Sequence, residues 1–471
     1  MTHSTSPAVA GSTQVKAAST LRSRLLKAGS WSFAGHVLAQ VIRFASNVLL
    51  AKFLMPEAFA LTTIVLLLTI GLALFSDLGI LQNVVRHPNG EDRTFLNTAW
   101  TVQIVRGFVI WLCALAVAYA LPWAVAWGWV KSGTVYADPL LPWVIAVATF
   151  SAVFQGAESS KVMVERRNMR LGRLTQIELA SQLVAALIMV LLAWQTKSIW
   201  ALVAGGLISA GLRTLLTHVA IPGPANRLAW DRQVLRELLG FGKWVFLSSI
   251  LFYLVTNSDR LILSNLIDAP TFGLYTIAFL LVTAPGHVVS TVAGGVALPA
   301  LSEVVRDRPH DLARVTNRFQ LLSDLFLMPM VGLLVVSGSH IVSLFYDARY
   351  QAAGPILSML ALGAMASRYL IMEQCYLALD RPQVFSLVNV IRFVFSYVGI
   401  PMAFQWGGFQ GALIGIVLAQ YSGWPVAFYF KVKYRLFSWR AELLGLPLLA
   451  LGGVAGWLLN LVVQAMGRGA V

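Results

Sequence analysis

Apolar runs of roughly 20 residues, recurring from about residue 30 to the end of the chain, leave very few folds open. At about 1.5 Å per residue, each run crosses a hydrocarbon core of about 30 Å as a helix. Period-two alternation is absent, which excludes a β-barrel, and lipid admits only helices and closed barrels because every backbone polar group must find a partner. The 471 residues are 58% hydrophobic and 12% charged, with a mean hydropathy of +0.74; a soluble chain of this size needs more charge to cover its surface. Spans are predicted near 30–53, 58–80, 97–122, 139–160, 174–195 and 198–220. A second set follows near 241–267, 272–298, 315–338, 352–376, 384–404, 408–430 and 441–463.

The net charge of +15 raises nucleic acid as a partner, and its distribution argues against one. With the N-terminus inside, most of the 35 Lys and Arg fall in the N-terminal tail and the inward loops. The clusters are Lys161 to Arg173, Arg227 to Arg236 and Arg306 to Arg318. That asymmetry is the positive-inside rule, so the charge sets topology, and no soluble domain exists to present a groove. Residues 1–28 are expected to be a disordered cytoplasmic tail without an apolar signal region. The two cysteines, Cys113 and Cys375, fall inside spans, which argues against a disulfide framework or a Cys-based metal site. P-loop, His-Glu-x-x-His and Gly-x-Ser-x-Gly sequences are absent. No enzymatic activity, metal or cofactor is therefore expected. The outer connection from Leu121 to Pro139, with Trp123, Trp127, Trp129 and Tyr136, suits the interfacial aromatic belt.

Two polar stripes point to the interior. His36, Gln40, Arg43 and Asn47 are spaced i, i+4, i+7, i+11 on the first span, and Ser249, Tyr253, Thr256 and Arg260 repeat that spacing 213 residues later. Aligning 29–64 with 242–277 without a gap gives nine identities in 36 positions, led by Gly-x-Trp-x-Phe and Phe-x-Leu-x-Thr-Ile. Both copies begin on the same side, so the repeat is parallel, with its site expected near the midplane between halves. The expected fold is an all-α polytopic membrane protein with two parallel-repeat six-helix bundles around a central cavity and 13–14 spans. The halves are placed at 29–220 and 241–430, joined by a cytoplasmic linker at 221–240 and followed by extra C-terminal membrane segment(s) at 431–471.

An arginine near the bilayer centre costs about 2.5–3.5 kcal/mol on insertion scales, so it faces protein or a wet cavity. Arg43, Arg260, Arg368 and Arg392, with Gln40, Asn47 and Asn389, are the candidate substrate-binding residues. Several guanidinium groups around one cavity suit an anionic substrate, because Arg binds phosphate oxygens bidentately. Asp259, Asp324 and Glu158 are weaker candidates for ion coupling. Each Arg paired with an acid on a neighbouring helix, such as Asp259 with Arg260 or Asp324 with Arg392, would instead be interhelical glue.

Asn47-x-x-Leu50-Ala51, Pro56-Glu57-x-Phe59, Ser76-Asp77-Leu78-Gly79 and Phe95-Leu96-Asn97-Thr98-Ala99-Trp100 resemble bacterial polysaccharide flippases. So do Asn257-x-Asp259-Arg260, Phe272-Gly273-Leu274-Tyr275, Leu298-Pro299-x-Leu301-Ser302 and Pro329. Over nearly its whole length the chain resembles the Wzx-type exporters of the multidrug/oligosaccharidyl-lipid/polysaccharide (MOP) superfamily. The resemblance implies a MATE-like fold in the bacterial inner membrane, with the N-terminus cytoplasmic. It implies an undecaprenyl-diphosphate-linked oligosaccharide as cargo, moved to the periplasmic leaflet by alternating access. Membrane lipids, and a polymerase or chain-length regulator, are implied partners; nucleic acid is not. A multidrug cation antiporter or a lipid-linked peptidoglycan precursor flippase of the same superfamily are the alternatives. Members commonly have fourteen spans, and only thirteen are placed here.

Overall fold

The computed structural model describes residues 34–75, 79–87, 90–168 and 170–468. The tail, Gly29, Trp31, Phe33 and Asp77 lie outside the described residues. Helices come first: α1 (Ala34–Ala51), α2 (Pro56–Phe75), α3 (Ile80–Arg86) and α4 (Arg93–Ala126). A short bent trio, α5 (Leu141–Ala148), α6 (Ser151–Gly156) and α7 (Lys161–Arg167), precedes α8 (Leu171–Thr196) and α9 (Trp200–Val219). The second half runs α10 (Arg232–Thr256), α11 (Ser258–Leu266), α12 (Ala269–Val292), α13 (Leu298–Asp307) and α14 (Leu312–Phe345). It ends with α15 (Ala353–Ala364), α16 (Leu370–Ala378), α17 (Pro382–Val394), α18 (Ile400–Tyr421), α19 (Trp424–Lys433), α20 (Trp439–Leu443) and α21 (Gly445–Arg468).

Ten stretches among the described residues are long and apolar enough to cross a membrane, and the pair α5–α6 with α7, bent by 63°, brings the number to eleven. The Pro382–Lys433 stretch, 52 residues long, is two legs of a hairpin. Gly408 turns it at φ 58° and ψ −143°, a conformation open essentially to glycine alone. The legs then run back to back, with Gly411 against Ala403 and Gly423 against Val388 and Arg392. Splitting this stretch and adding α10–α11 accommodates each of the thirteen predicted spans in a helix or a broken run of helices. The Gly452-Gly453 pair sits inside one continuous α21. A Cβ on Gly452 would meet the Pro329 carbonyl oxygen at 2.0 Å, so the glycines let α21 pack closely on α14. At Gly294-Gly295 the eighth span does deviate, through a π-turn over Ala293–Ala297.

Aspartates start the helices at the membrane boundary. Asp92 accepts from the amides of Thr94 and Phe95 at the head of α4, and Asp231 from Gln233 and Val234 at the head of α10. Both satisfy donors that a helix N-terminus leaves open.

The packing is asymmetric between the two ends of the bundle. At the end opposite the basic loops, Leu50, Phe59 and Ile64 share one buried cluster with Phe272, Tyr275 and Leu357 of the second half. At the basic end there are separate clusters. One holds Ile80, Phe95, Met163 and Leu238; the other holds Leu301, Tyr376 and Leu436. The halves therefore share one core at the end opposite the basic loops, whereas at the basic end their cores are separate apart from Leu238 of α10. α10 starts at Arg232, within the segment read as a linker, and its basic end docks on the first half. There the Glu237 carboxylate lies 3.3 Å from His87, and the amides of Arg227 and Asp231 donate to Asn97 and Thr98.

The joined end depends on close approach of α2 and α12 at Gly273. A Cβ there would lie 2.1 Å from the Pro56 carbonyl oxygen and 2.4 Å from its carbon. Since backbone cannot yield as a side chain does, Gly273→Ala is expected to cost about 1–3 kcal/mol, as overpacking does. A thermal-unfolding comparison in detergent checks this.

Candidate functional site

α1 carries the polar stripe predicted for the first span. Arg43 is exposed there, and Gln40 and Asn47 are half-buried. The Asn47 side-chain amide donates to the Arg43 carbonyl oxygen at 2.8 Å, leaving the guanidinium untouched. Arg43, Asn47, Thr62, Thr69, Gln155 and Gln182 line a cavity of about 610 Å³ within the first half. Among the described residues the Arg43 side chain has no ion-pair or hydrogen-bond partner.

The second stripe is divided by a break at Asn257, which lies between α10 and α11 with φ −115°. Ser249, Tyr253 and Thr256 stay on α10, and Tyr253 donates its hydroxyl to the Leu67 carbonyl oxygen at 2.8 Å, tying α10 to α2. Arg260 falls on α11, where Nη2 donates to Asn257 Oδ1 at 2.5 Å and Cζ sits 4.3 Å over the Phe279 ring. Its Nε is buried without a hydrogen-bond partner and lies 3.9 Å from Asp259 Oδ1, the pairing weighed from the sequence. His287 on α12 lies within electrostatic reach of His36, Arg43 and Arg260. Arg43 of the first half and Arg260 of the second are thus both within electrostatic reach of His287.

A second cavity, of about 360 Å³, lies in the second half and is lined by Asp259, Glu373, Asn389, Arg392, Ser396 and Gln420. Arg392 Nη1 is 3.0 Å from Glu373 Oε1, and Arg392 Nε is buried without a partner. Asn389 donates to the Phe385 carbonyl oxygen one turn back. Arg392 therefore pairs with Glu373, whereas the sequence reading had weighed Asp324 as its acid.

Asp324 pairs with Arg368 instead, at 2.7 Å, and Arg368 also reaches Glu442 at 3.3 Å. This group lies near the basic end of the second half. The three coupling candidates are dispersed. Asp259 is buried and accepts from the Tyr275 hydroxyl, Asp324 sits with Arg368, and Glu158 pairs with Arg213 at 2.9 Å beside the α6–α7 bend.

Sequence reasoning missed Gln155, Gln182 and Gln420 as cavity lining, and passed over Glu373 as the acid facing Arg392. Each is a polar residue inside an apolar run, so the signal was present. Helical spacing alone gives no way to tell which neighbour such a residue faces.

At the joined end, loops of the two halves are laced together. Arg349 donates through Nη2 to the carbonyl oxygens of Ala51 and Lys52, each at 3.0 Å. The Tyr350 hydroxyl donates to the Leu54 carbonyl oxygen at 2.9 Å, and the Ala269 amide to the Gly133 carbonyl oxygen at 3.1 Å. Asp347 orients Arg349, accepting from its Nε at 3.0 Å. That side-chain hydrogen bond holds the Asp347 carboxyl below its ordinary pKa.

Among protein families, one described as "Polysaccharide biosynthesis protein" matches residues 49–355. The lipopolysaccharide biosynthesis protein WzxC of Escherichia coli is 22% identical over 460 residues, covering 94% of this chain and 89% of that protein. The succinoglycan biosynthesis transport protein ExoT of Rhizobium meliloti is 23% identical, covering 70% of this chain and 64% of its own length. Among solved structures, the inward closed form of the lipid II flippase MurJ superposes with a TM-score of 0.68 at 15% identity, covering 92% of each chain. An inward-facing MATE-family multidrug transporter gives 0.66 at 12% identity, covering 84% of this chain and 94% of that one.

Proposed function

The chain belongs to the polysaccharide biosynthesis protein family, within the Wzx-type flippases of the MOP superfamily, and from that premise we propose how its residues handle a cargo. The cargo is an undecaprenyl-diphosphate-linked oligosaccharide, carried from the cytoplasmic to the periplasmic leaflet of the bacterial inner membrane for polysaccharide assembly. In this reading the N-terminus and the basic end of the bundle face the cytoplasm, which the positive-inside distribution of the basic loops supports. That end then faces the leaflet in which such a cargo is built.

The observation that carries this reading is Arg43, an arginine on a cavity wall with no acid to neutralise it among the described residues. An unpaired guanidinium in a low-dielectric site attracts an anion, and its fork matches two oxygens of a diphosphate. Arg260 approaches from the other half, its Nε buried without a hydrogen-bond partner at 3.9 Å from Asp259 Oδ1, and His36 and His287 lie within electrostatic reach. Gln40, Asn47, Asn389 and Arg392 supply hydrogen bonds suited to sugar hydroxyls. Arg368, held by two carboxylates, belongs to the frame. Asp259 is the coupling candidate that borders a cavity. Delivery to a polymerase and chain-length regulator completes the proposed role.

Reconstitution tests it. Purified protein in proteoliposomes should move a lipid-linked oligosaccharide to the opposite leaflet, read by its accessibility to an added glycosidase. Extrusion of cationic dyes without lipid-linked sugar movement would reverse the reading in favour of a multidrug exporter.

Alternating access requires the joined end to open in turn, and Arg349 is its clasp. Two backbone acceptors and one carboxylate hold it, so Arg349→Ala is expected to weaken closure by about 1.4 kcal/mol, from charged hydrogen bonds partly screened by water. That corresponds to about a tenfold rise in the open population. Spin labels at Lys131 and Gln351 should report longer distances in the variant, and an unchanged distribution would remove Arg349 from gating. The pH dependence has a definite sign. Because the Asp347 pKa is depressed when the clasp is closed, its contribution is full above the ordinary carboxylate pKa and is lost as pH falls through the lowered value.

A further inference from the structure

At the basic end, where α13 turns into α14, a surface slot of about 400 Å³ lies apart from the Arg43 and Arg392 cavities. Three ionisable side chains line it: Glu303 and Arg308 from the α13 side and Arg318 from α14. All three are exposed. Among the described residues none of them is ion-paired, although they share one slot of opposite charges. The neighbouring Arg306, by contrast, is engaged with Asp307 at 3.1 Å. Arg308 ends α13 with φ −147° and ψ 60°, outside the helical region.

The remaining walls are apolar: Val304, Val315, Phe319 and Leu322. Arg314, Arg318, Leu322 and Leu325 follow one another at helical spacing on α14, so the strip passes from charge to exposed hydrocarbon within a few turns. Leu322 is 56% exposed and Leu325 60%. A slot that is polar at the cytoplasmic boundary and apolar toward the bilayer centre has the polarity profile of a phospholipid. Basic pockets between membrane helices on that side hold phosphate headgroups.

We propose that this slot binds one aminophospholipid, its phosphate between Arg308 and Arg318, its ammonium on Glu303 and an acyl chain along Phe319 and Leu322. The carboxylate decides the class. Two arginines alone would favour an anionic lipid, whereas Glu303 repels a second negative group and pairs with an ammonium. This inference does not rest on the identity of the cargo.

Native mass spectrometry of the purified full-length protein, with phosphatidylethanolamine and phosphatidylglycerol of matched chains, tests it. The parent protein should retain one phosphatidylethanolamine at least fivefold more strongly than phosphatidylglycerol. Glu303→Gln should abolish that preference while leaving phosphatidylglycerol bound. The double variant Arg308→Gln/Arg318→Gln should lose about tenfold in retention of both lipids. Equal retention of the two lipids by the parent, or parental retention of phosphatidylethanolamine by the double arginine variant, overturns the proposal. These side chains are exposed and unpaired, so the variants should match the parent in unfolding temperature, which is measured alongside.

Discussion

Replacing Arg43 with alanine is expected to lower flipping of lipid-linked oligosaccharide by one to two orders of magnitude while the protein stays folded and inserted. The magnitude follows from the chemistry of the contact. A hydrogen bond to a charged group is worth about 1.5–3 kcal/mol, and each 1.4 kcal/mol is a factor of ten. The stability side is equally direct: the side chain is exposed and holds no partner among the described residues, so its removal leaves no buried charge behind. Arg43→Lys separates charge from shape. It keeps a point charge and loses the bidentate fork, so it should fall between the parent and alanine. Arg260→Ala should weaken transport less per group lost, because part of the Arg260 fork is already committed to Asn257 and its face to Phe279. Normal flipping by Arg43→Ala in proteoliposomes, at equal protein density, would remove Arg43 from cargo binding.

The contrast among the four candidate arginines shows where sequence reading succeeds and where it stops. Hydropathy located the spans, each in one helix or in a broken run of helices such as α5–α6 and α10–α11, because a bilayer imposes length and apolarity on each segment separately. The turn at Gly408 falls at the boundary between the predicted spans 384–404 and 408–430. Spacing along α1 put Gln40, Arg43 and Asn47 on one side. The second stripe looked equivalent, yet the break at Asn257 turns Arg260 onto a different helix from Tyr253. Local spacing assumes a continuous helix and gives no warning of such a break. Partner choice was beyond reach for a related reason. Arg392 has Glu373 from α16 as its acid, and Arg368 has Asp324 from α14 and Glu442 from α20. Those pairings depend on how helices distant in sequence cross, which a one-dimensional pattern does not contain. Glycines carry the same lesson. Gly452-Gly453 has the composition of a break, but facing Pro329 it is a contact surface.

Arg368→Ala is expected to be the most destabilising of these substitutions, by about 3–5 kcal/mol, the usual cost of stripping one partner from a buried ion pair. The side chain bridges two acids: Nη2 is 2.7 Å from Asp324 Oδ2, and Nη1 is 3.3 Å from Glu442 Oε2. Asp324 is fully buried, as is Lys431, whose Nζ lies 2.5 Å from Glu442 Oε1 and 2.6 Å from Gln320 Oε1. Two acids and two bases thus close a neutral group that ties α14, the turn before α16, α19 and α20 together. Alanine at 368 strands the Asp324 carboxylate away from water, and α20 loses half of its charged tether just before the chain enters α21. Thermal unfolding in detergent, together with the yield of monodisperse protein, reads the loss. The double variant Asp324→Asn/Arg368→Met removes both members of the pair and should recover a substantial part of it, since no uncompensated charge remains. A decrease below about 1 kcal/mol for Arg368→Ala would mean the network is dispensable to the fold, and it would free Arg368 for contact with the cargo. A large loss recovered by the double variant would keep Arg368 in the frame and leave the diphosphate to Arg43 and Arg260.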